Sequence, residues 1–499
     1  MLANPAGPVS AQGDSSRMIR RSLAPLKARL ADLYSPRDDL SRGRLAALGD
    51  SLITAFYNVF ITGVFYTGFL SIYGISITDM GVVTFVPYLG NLFSIFSPMV
   101  LDRFKRKKPV LIGAKLVFYF LFIVATTLMP NLVTDPAARI RWFVGLVFTA
   151  HAVYALFSPG FTAWFYRFYP EENDRRMRYI MYNQLFASVT SSLVLIISSV
   201  LADALNGSPY QNRLLILLRY LAFALVIADV SVQAQAREFP SAGPIGLRFR
   251  DIFTVPLRYP KFMLCTALMF FWNFNANLNN GLWNYHLLNH MRFPYTLINL
   301  MTILYTPTFF LLQRYWSRVI RRHSWIRTFG ICCLLFVPSE ISFFLMTAKT
   351  PWLYMPTGLY QHLFSVGLNL SYANILYINL PQRNNAPFIA LNTVGCNICA
   401  FLGLITGTWI SGLSGDATFP FLGLEIYSVQ FTTLGRALLM ILIGIVLVTQ
   451  WRRFESDENA RLVDEFKPIP RHVHLRLMIL SVWRKLRYYA HRMKGGDAS

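Results

Sequence analysis

Long apolar segments alternate with short polar ones along almost the whole chain. Between residues 46 and 451 about twelve apolar runs follow one another, each close to the roughly 20 residues that a helix needs to cross a bilayer. Polar or basic segments separate the runs. The pattern predicts an all-α integral membrane protein with twelve transmembrane helices.

Composition and charge place this protein in a cell membrane. Of its 499 residues 54% are hydrophobic and 14% charged, against about 25% charged in soluble domains. The net charge is +23, and the lysines and arginines gather on one side of an alternating topology. That asymmetry predicts a multi-pass protein of the inner or plasma membrane with both termini cytoplasmic. The basic face then meets anionic lipids, and no nucleic-acid partner is expected.

The second half of the chain repeats the first. Phe56-Tyr57-Asn58 matches Phe271-Trp272-Asn273 at an offset of 215 positions, and residues 102–107 match residues 317–322 at the same offset. An even number of spans separates the matches, so we expect two parallel six-helix repeats. The predicted units are a basic tail (1–45), an N-terminal bundle (46–232), a cytoplasmic linker (233–261), a C-terminal bundle (262–451) and a basic tail with an amphipathic helix (452–499).

Asparagines are concentrated in the seventh predicted span. Asn273, Asn277, Asn280 and Asn284 follow the spacing i, i+4, i+7, i+11, which places them on one stripe of a continuous helix. An unpaired amide in an apolar medium costs roughly 2–7 kcal/mol. The stripe must therefore face another helix or a water-filled cavity. Interleaved aromatic residues favour the cavity, and hence a transporter.

The loop after the second span carries a recognisable motif. It reads Pro98-Met-Val-Leu-Asp102-Arg103-Phe-Lys-Arg106-Lys107-Lys108, and a weaker copy begins at Ser317-Arg318. The loop resembles the signature of the major facilitator superfamily, with Pro98 and Lys105 in place of its two glycines. The resemblance implies alternating access of two halves around a central site. It also implies a gating contact in which Asp102 accepts from a helix N-terminus of the other half. The gating candidates are Asp102, Arg103, Arg106 and Arg318.

In that family the first, fourth, seventh and tenth helices surround the cavity, and polar residues occur on all four here. Their chemistry is neutral, with amides, imidazoles and aromatic rings in place of fixed charges. Such a lining favours an uncharged, hydroxyl-rich cargo, sugar-like or nucleoside-like, and an exporter of amphipathic drug-like compounds is the alternative. The candidate substrate-binding residues are Asn58, His151, Tyr154, Asn273, Asn277, Asn280, Asn284, His362 and Asn369.

Energy coupling has three candidate residues. Histidine ordinarily titrates near working pH, which makes His151 and His362 candidates, and Glu340 lies inside the ninth span. Proton symport is therefore expected, and uniport stays open. His286 and His290 lack a third ligand nearby, so no metal site and no cofactor is expected. The sequence holds none of the common hydrolase or nucleotide-binding motifs. We therefore expect a monomeric transporter and not an enzyme; a non-transporting sensor on a transporter fold is the alternative class.

Overall fold

The computed structural model describes residues 30–455 except 102, 105, 171, 239–248, 382–385, 414–416 and 422. Asp102 and the predicted amphipathic helix of the second tail lie outside the described residues. Within the described part, the long helices are α1 (Asp39–Ile72), α2 (Ile77–Phe96), α3 (Lys108–Leu132), α4 (Pro136–Tyr166), α5 (Asn173–Ala204), α6 (Pro209–Gln233), α7 (Pro260–Asn277), α8 (Tyr295–His323), α9 (Trp325–Phe344), α10 (Tyr354–Ile378), α11 (Ala386–Gly412) and α12 (Gln430–Phe454).

Ten of these helices are long and apolar enough to cross a membrane. The chain is therefore a multi-pass membrane protein, and helices are the expected spanning element because each satisfies its own backbone hydrogen bonds. The two that fall short are α7 and α10. Helix α7 carries Asn273 and Asn277, and α10 carries His362 and Asn369, which the sequence pattern assigned to a cavity wall.

The two halves are built alike. In the N-terminal half, α1 packs against α5 and α6, α2 against α4, and α3 against α4 and α6. In the C-terminal half, α7 packs against α11 and α12, α8 against α10, and α9 against α10 and α12. Adding six to each helix number converts the first set of pairs into the second. This confirms the predicted pair of six-helix repeats.

Helix α1 begins earlier than expected and is interrupted. Asp38 caps it, accepting from the Ser41 backbone nitrogen while the Ser41 hydroxyl accepts from the Asp38 backbone nitrogen. The helix therefore starts at Asp39, seven residues before the predicted boundary at residue 46. Thr62 has extended backbone angles and Gly63 has φ +57°, a value that glycine adopts without strain. The second part of α1 thus takes a new direction.

The seventh span is not the continuous helix that the sequence pattern predicted. It ends at Asn277, and a turn leads to a short helix, Leu282–Tyr285, followed by a π-helical turn, His286–His290. Gly281 has φ +78°, and asparagine side chains bond to nearby carbonyls in competition with the helix backbone. Asn280 therefore lies in the turn and Asn284 in the short helix, off the stripe.

The halves meet at the face opposite the start of α1 and the end of α12. We call the face with the start of α1 and the end of α12 the terminal face, and the other the distal face. One apolar cluster joins both halves there, including Phe65 and Leu70 of α1 with Tyr295 and Ile298 of α8. The helix pairs α2–α11 and α5–α8 form the seams between halves. An antiparallel hairpin of β1 (Thr418–Phe421) and β2 (Leu424–Tyr427), which the sequence pattern did not predict, precedes α12.

Candidate functional site

Three of the predicted asparagines converge where α7 ends, and we call Asn273, Asn277 and Asn280 the amide group. The Tyr88 hydroxyl of α2 donates to Asn277 Oδ1 at 2.7 Å. Asn280 Nδ2 donates to the Tyr88 hydroxyl at 3.2 Å and to Asn277 Oδ1 at 3.1 Å. Asn273 Nδ2 donates to the Tyr372 hydroxyl of α10 at 2.6 Å. The amide group therefore contacts both halves through tyrosine hydroxyls.

The amide group lies deep in the bundle. Tyr88 is eleven residues from the start of α2, which at 1.5 Å per residue is about 16 Å, close to the middle of a hydrocarbon core about 30 Å thick. Asn273 and Asn277 are half-buried and Asn280 is exposed, so the amides are not sealed into a dry core. Asn284 is half-buried in the short helix beyond the turn, apart from this group.

A second polar group lines the interface of α8 and α10. His362 Nε2 lies 2.8 Å from the carbonyl oxygen of Met301, and Asn369 Nδ2 donates to the Tyr305 hydroxyl at 2.8 Å. The ring of Tyr305 lies 5.5 Å from that of His362. Asn369 is exposed. His362 and Asn369 lie two helical turns apart on α10, and Tyr305 of α8 contacts both.

The predicted residues of the N-terminal half lie among aromatic rings. His151 packs edge-on against Phe118 of α3 at 5.0 Å, and Tyr154 stacks on the same ring at 4.6 Å. His151 Nε2 is buried without a hydrogen-bond partner among the described residues. Asn58 is half-buried on α1. His151 and Tyr154 thus lie between α4 and α3, and Asn58 lies on α1, without the tyrosine–amide bonds of the amide group.

A buried charged cluster that sequence reasoning missed lies between α1, α3 and α6. Lys115 Nζ is 2.6 Å from Asp229 Oδ2 and 3.1 Å from Asp50 Oδ1. Gln233 Nε2 donates to Asp50 Oδ1 at 2.5 Å, and the Tyr57 hydroxyl donates to Asp229 Oδ2 at 3.3 Å. The Asp229 side chain is fully buried, whereas the Asp50 side chain is 24% exposed. Two carboxylates share one ammonium, so the ionised cluster carries one net negative charge.

A sequence signal for this cluster existed. Lys115 is the one basic residue between residues 109 and 132, an otherwise apolar run. A charge inside a span usually pairs with an opposite charge on another helix. Asp50 and Asp229 lie near the ends of predicted spans, and the sequence alone suggests that they are capping or peripheral residues. The pairing became visible only when the fold brought the three helices together.

Glu340 is held by an ion pair inside the C-terminal half. Its Oε1 lies 3.2 Å from Arg436 NH2 of α12, and Arg436 NH1 donates to Asn279 Oδ1 at 3.0 Å. The Glu340 side chain is fully buried. A neutral buried pair of this kind ties α9 to α12 and to the turn after α7.

Arg219 lies inside α6, the helix equivalent to the α12 that carries Arg436. It donates to the hydroxyls of Thr127 and Thr126 at 2.8 and 2.7 Å and to the carbonyl oxygen of Phe122 at 2.7 Å. The π-helical turn Phe120–Ala125 frees carbonyls of α3 for these bonds. The guanidinium also lies 4.0 Å from the centre of the Phe69 ring.

The remaining predicted residues lie at the two faces. Arg103, Arg106 and Arg318 are exposed at the terminal face, and the fourth gating candidate, Asp102, is outside the described residues. Near the distal face His286 Nδ1 lies 3.0 Å from His290 Nδ1. In the described ranges no group of three histidine, cysteine or acidic side chains is arranged to hold a metal ion.

Comparison of the sequence with known proteins finds no matching family model and no matching curated protein. Solved structures do match. The nucleoside transporter NupG superposes with a TM-score of 0.59 at 10% identity, covering 83% of this chain and 99% of that chain. A D-xylose–proton symporter gives 0.57 at 10% identity, with coverage of 82% and 97%. An inward-facing bacterial homologue of the lysosomal transporter Spinster gives 0.54 at 14% identity, with coverage of 87% and 100%.

At these identities the likeness concerns the fold. It extends over nearly the full length of each matched transporter, and it agrees with the repeat of helix pairs and with the loop motif at residues 98–108. The chain has the major facilitator fold.

Proposed function

We propose that this protein moves a small, uncharged, hydroxyl-rich solute across the membrane by alternating access. The observation that carries the proposal is the bonding of Tyr88 to Asn277 and Asn280. These groups belong to different halves, carry no net charge and lie near mid-depth. A solute hydroxyl both donates and accepts, so it can replace the tyrosine at these amides without leaving a group unpaired.

The neutral chemistry of the lining supports this cargo class. Tyr372, Tyr305 and Asn369 extend the amide group along α10 and α8 with further donors and acceptors. The matched structures include a nucleoside transporter and a D-xylose symporter, whose cargoes by name are hydroxyl-rich. Asn58, His151 and Tyr154 complete the proposed lining on the N-terminal half, with Asn284 and His362 at its edges.

Proton coupling is the second part of the proposal, and we place it at the cluster of Asp50, Lys115 and Asp229. The ionised cluster carries one negative charge in a membrane protein interior, where an unbalanced charge is costly. Binding one proton makes it neutral. Asp229 Oδ1 is buried without a partner among the described residues, and the partly exposed Asp50 gives water access. Glu340 is neutralised by Arg436, which disfavours it as the coupling group.

The experiment is counterflow in liposomes loaded with unlabelled solute. Labelled uridine, labelled D-xylose and an amphipathic fluorescent dye are offered in parallel to the purified protein. We expect uptake of uridine or D-xylose. Uptake of the dye alone would favour the drug-exporter alternative, and saturable binding with no flux of any probe would favour the sensor.

Asn277→Ala tests the site. Losing two hydrogen-bonding groups should raise the KM of the accepted solute about tenfold. Asn397→Ala is the matched control, because Asn397 Nδ2 bonds to the Thr393 carbonyl one turn back, as Asn277 Nδ2 bonds to that of Asn273. The control should stay within about twofold of the parent. Equal KM values for the two variants would mean that the amide group does not bind the solute.

A further inference from the structure

One helix at the distal face is capped by the other half of the molecule. Asp203 near the end of α5 accepts from the backbone nitrogens of Tyr295 and Thr296, the first two residues of α8. Both distances are 2.7 Å, one to each carboxylate oxygen. A carboxylate at this place satisfies donors that the helix cannot satisfy itself and interacts favourably with its dipole.

The equivalent helix of the first half caps itself. Ser76 precedes α2, and its hydroxyl accepts from the Asp79 backbone nitrogen at 3.2 Å. Pro294 precedes α8 in the same backbone conformation, with φ −66° and ψ 149° against φ −66° and ψ 165° for Ser76. Proline has no side-chain acceptor. Helix α8 therefore depends on Asp203 for a cap that α2 receives from its own sequence.

Neighbouring contacts place this cap within the closed distal seam. One turn along, Asn299 Nδ2 donates to the Ser199 hydroxyl at 2.7 Å. The ring of Tyr295 stacks on Phe65 of α1 at 5.4 Å. Separation of the two halves at this face breaks all of these contacts together. It leaves the first backbone N–H groups of α8 without the Asp203 carboxylate.

We infer that Asp203 is a latch that holds the distal face closed and so sets the balance between the two access states. Each closing of the seam restores two charge-assisted hydrogen bonds, and each opening loses them. The latch stands at the face opposite the predicted Asp102 contact. The inference rests on alternating access, but it concerns the equilibrium of the empty protein and needs no cargo.

The test measures the distance between the halves at the distal face. Spin labels are attached through an unnatural amino acid at Arg213 and Lys349, exposed positions near the distal ends of α6 and α9. Asp203→Ala should lower the ratio of short-distance to long-distance populations about 2- to 30-fold. Asp135→Ala is the matched control, because Asp135 caps α4 within its own half at the same face. Asp135→Ala should leave this ratio within about twofold of the parent value.

Two further variants separate a latch from a general need for a helix cap. Asp203→Asn keeps the shape of the side chain and one acceptor oxygen, so it should fold and give a smaller shift in the same direction. Pro294→Ser, added to Asp203→Ala, supplies α8 with its own cap but no contact between halves, so the long-distance population should persist. An unchanged ratio in Asp203→Ala and Asp203→Asn overturns the inference. So does an equal shift in Asp135→Ala, or a return to the parent ratio with Pro294→Ser.

Discussion

Replacing Lys115 with methionine removes the one positive charge of the buried cluster and keeps its apolar stem. Asp50 and Asp229 are then left facing each other without a cation, and Asp229 is fully buried. Two ion-pair contacts, at 2.6 and 3.1 Å, are lost at once. Removing one partner of a buried pair typically costs about 3–5 kcal/mol, because the remaining charge stays uncompensated.

The loss of stability is measured by thermal unfolding in detergent, with tryptophan fluorescence as the signal. For a unit of 150–250 residues 1 kcal/mol shifts Tm by about 2–4 °C, so Lys115→Met should lower Tm by roughly 6–20 °C. Adding Asp229→Asn removes one of the two stranded carboxylates and should restore more than half of the loss. A Tm within about 2 °C of the parent for Lys115→Met would show that the cluster contributes little to stability. A double variant less stable than Lys115→Met would refute the electrostatic reasoning.

The same cluster is tested for coupling with Asp229→Asn alone, which imitates the protonated carboxyl. This variant keeps the neutral pair of Lys115 and Asp50, so it should fold and exchange solute at near the parent rate. Accumulation of solute driven by a pH gradient should be lost. His151→Gln is the comparison, because His151 was a coupling candidate from sequence. If His151→Gln loses accumulation while Asp229→Asn keeps it, the histidine carries the proton and the cluster is structural.

Two more predictions concern packing and charge in the C-terminal half. A Cβ on Gly407 of α11 would collide with the carbonyl oxygen of Leu278, so Gly407→Ala should lower the free energy of unfolding by about 1–3 kcal/mol. Gly145→Ala, at a helical glycine with open space around it, should not lower it; equal melting shifts would contradict the packing argument. Glu340→Gln strands Arg436 and should lower Tm, whereas adding Arg436→Gln should recover part of the loss; no recovery would mean that the ion pair is not the cause.

The architecture was predictable because it depends on properties that act along the chain. Hydrophobic length sets the spans, and the distribution of lysine and arginine sets their expected orientation. The repeat was visible at Asn58 and Asn273 because similar helices occupy similar places in the two halves. These signals do not depend on knowing which helices touch. They therefore identified the fold although no family model matches the sequence.

The break in α7 was not predictable from its periodic pattern. An isolated glycine inside a helical pattern costs about 1 kcal/mol and is often tolerated, so Gly281 alone does not end a helix. Tertiary contact gives it this role: the carbonyl of Leu278 lies against Gly407 of α11, and Gly281 lies against Thr84 of α2. These close approaches fix the turn. They move Asn280 and Asn284 off the stripe on which a continuous helix would hold them.

The buried charged cluster was not predicted from the sequence, for a different reason. Asp229 is 114 positions from Lys115, and Asp50 is 65 positions from it, so no local pattern connects them. Read singly, each of the two aspartates has an ordinary explanation at a span end. Only the packing of α1 and α3 against α6 shows that two acids share one base. A site that depends on three helices is therefore the part of the molecule least accessible to sequence reasoning.

The two halves share a frame but differ in charge, and the difference bears on how they divide the work. Arg219 and Arg436 lie on the equivalent helices α6 and α12, yet Arg436 is neutralised by Glu340, whereas Arg219 bonds to hydroxyls and a carbonyl oxygen. The C-terminal half thus holds a neutral ion pair beside the uncharged amide group. The N-terminal half holds the cluster at Asp229, whose net charge changes with one proton. We infer that cargo is recognised mainly by the C-terminal half and that protonation acts mainly on the N-terminal half, so their coupling must pass through the seams α2–α11 and α5–α8.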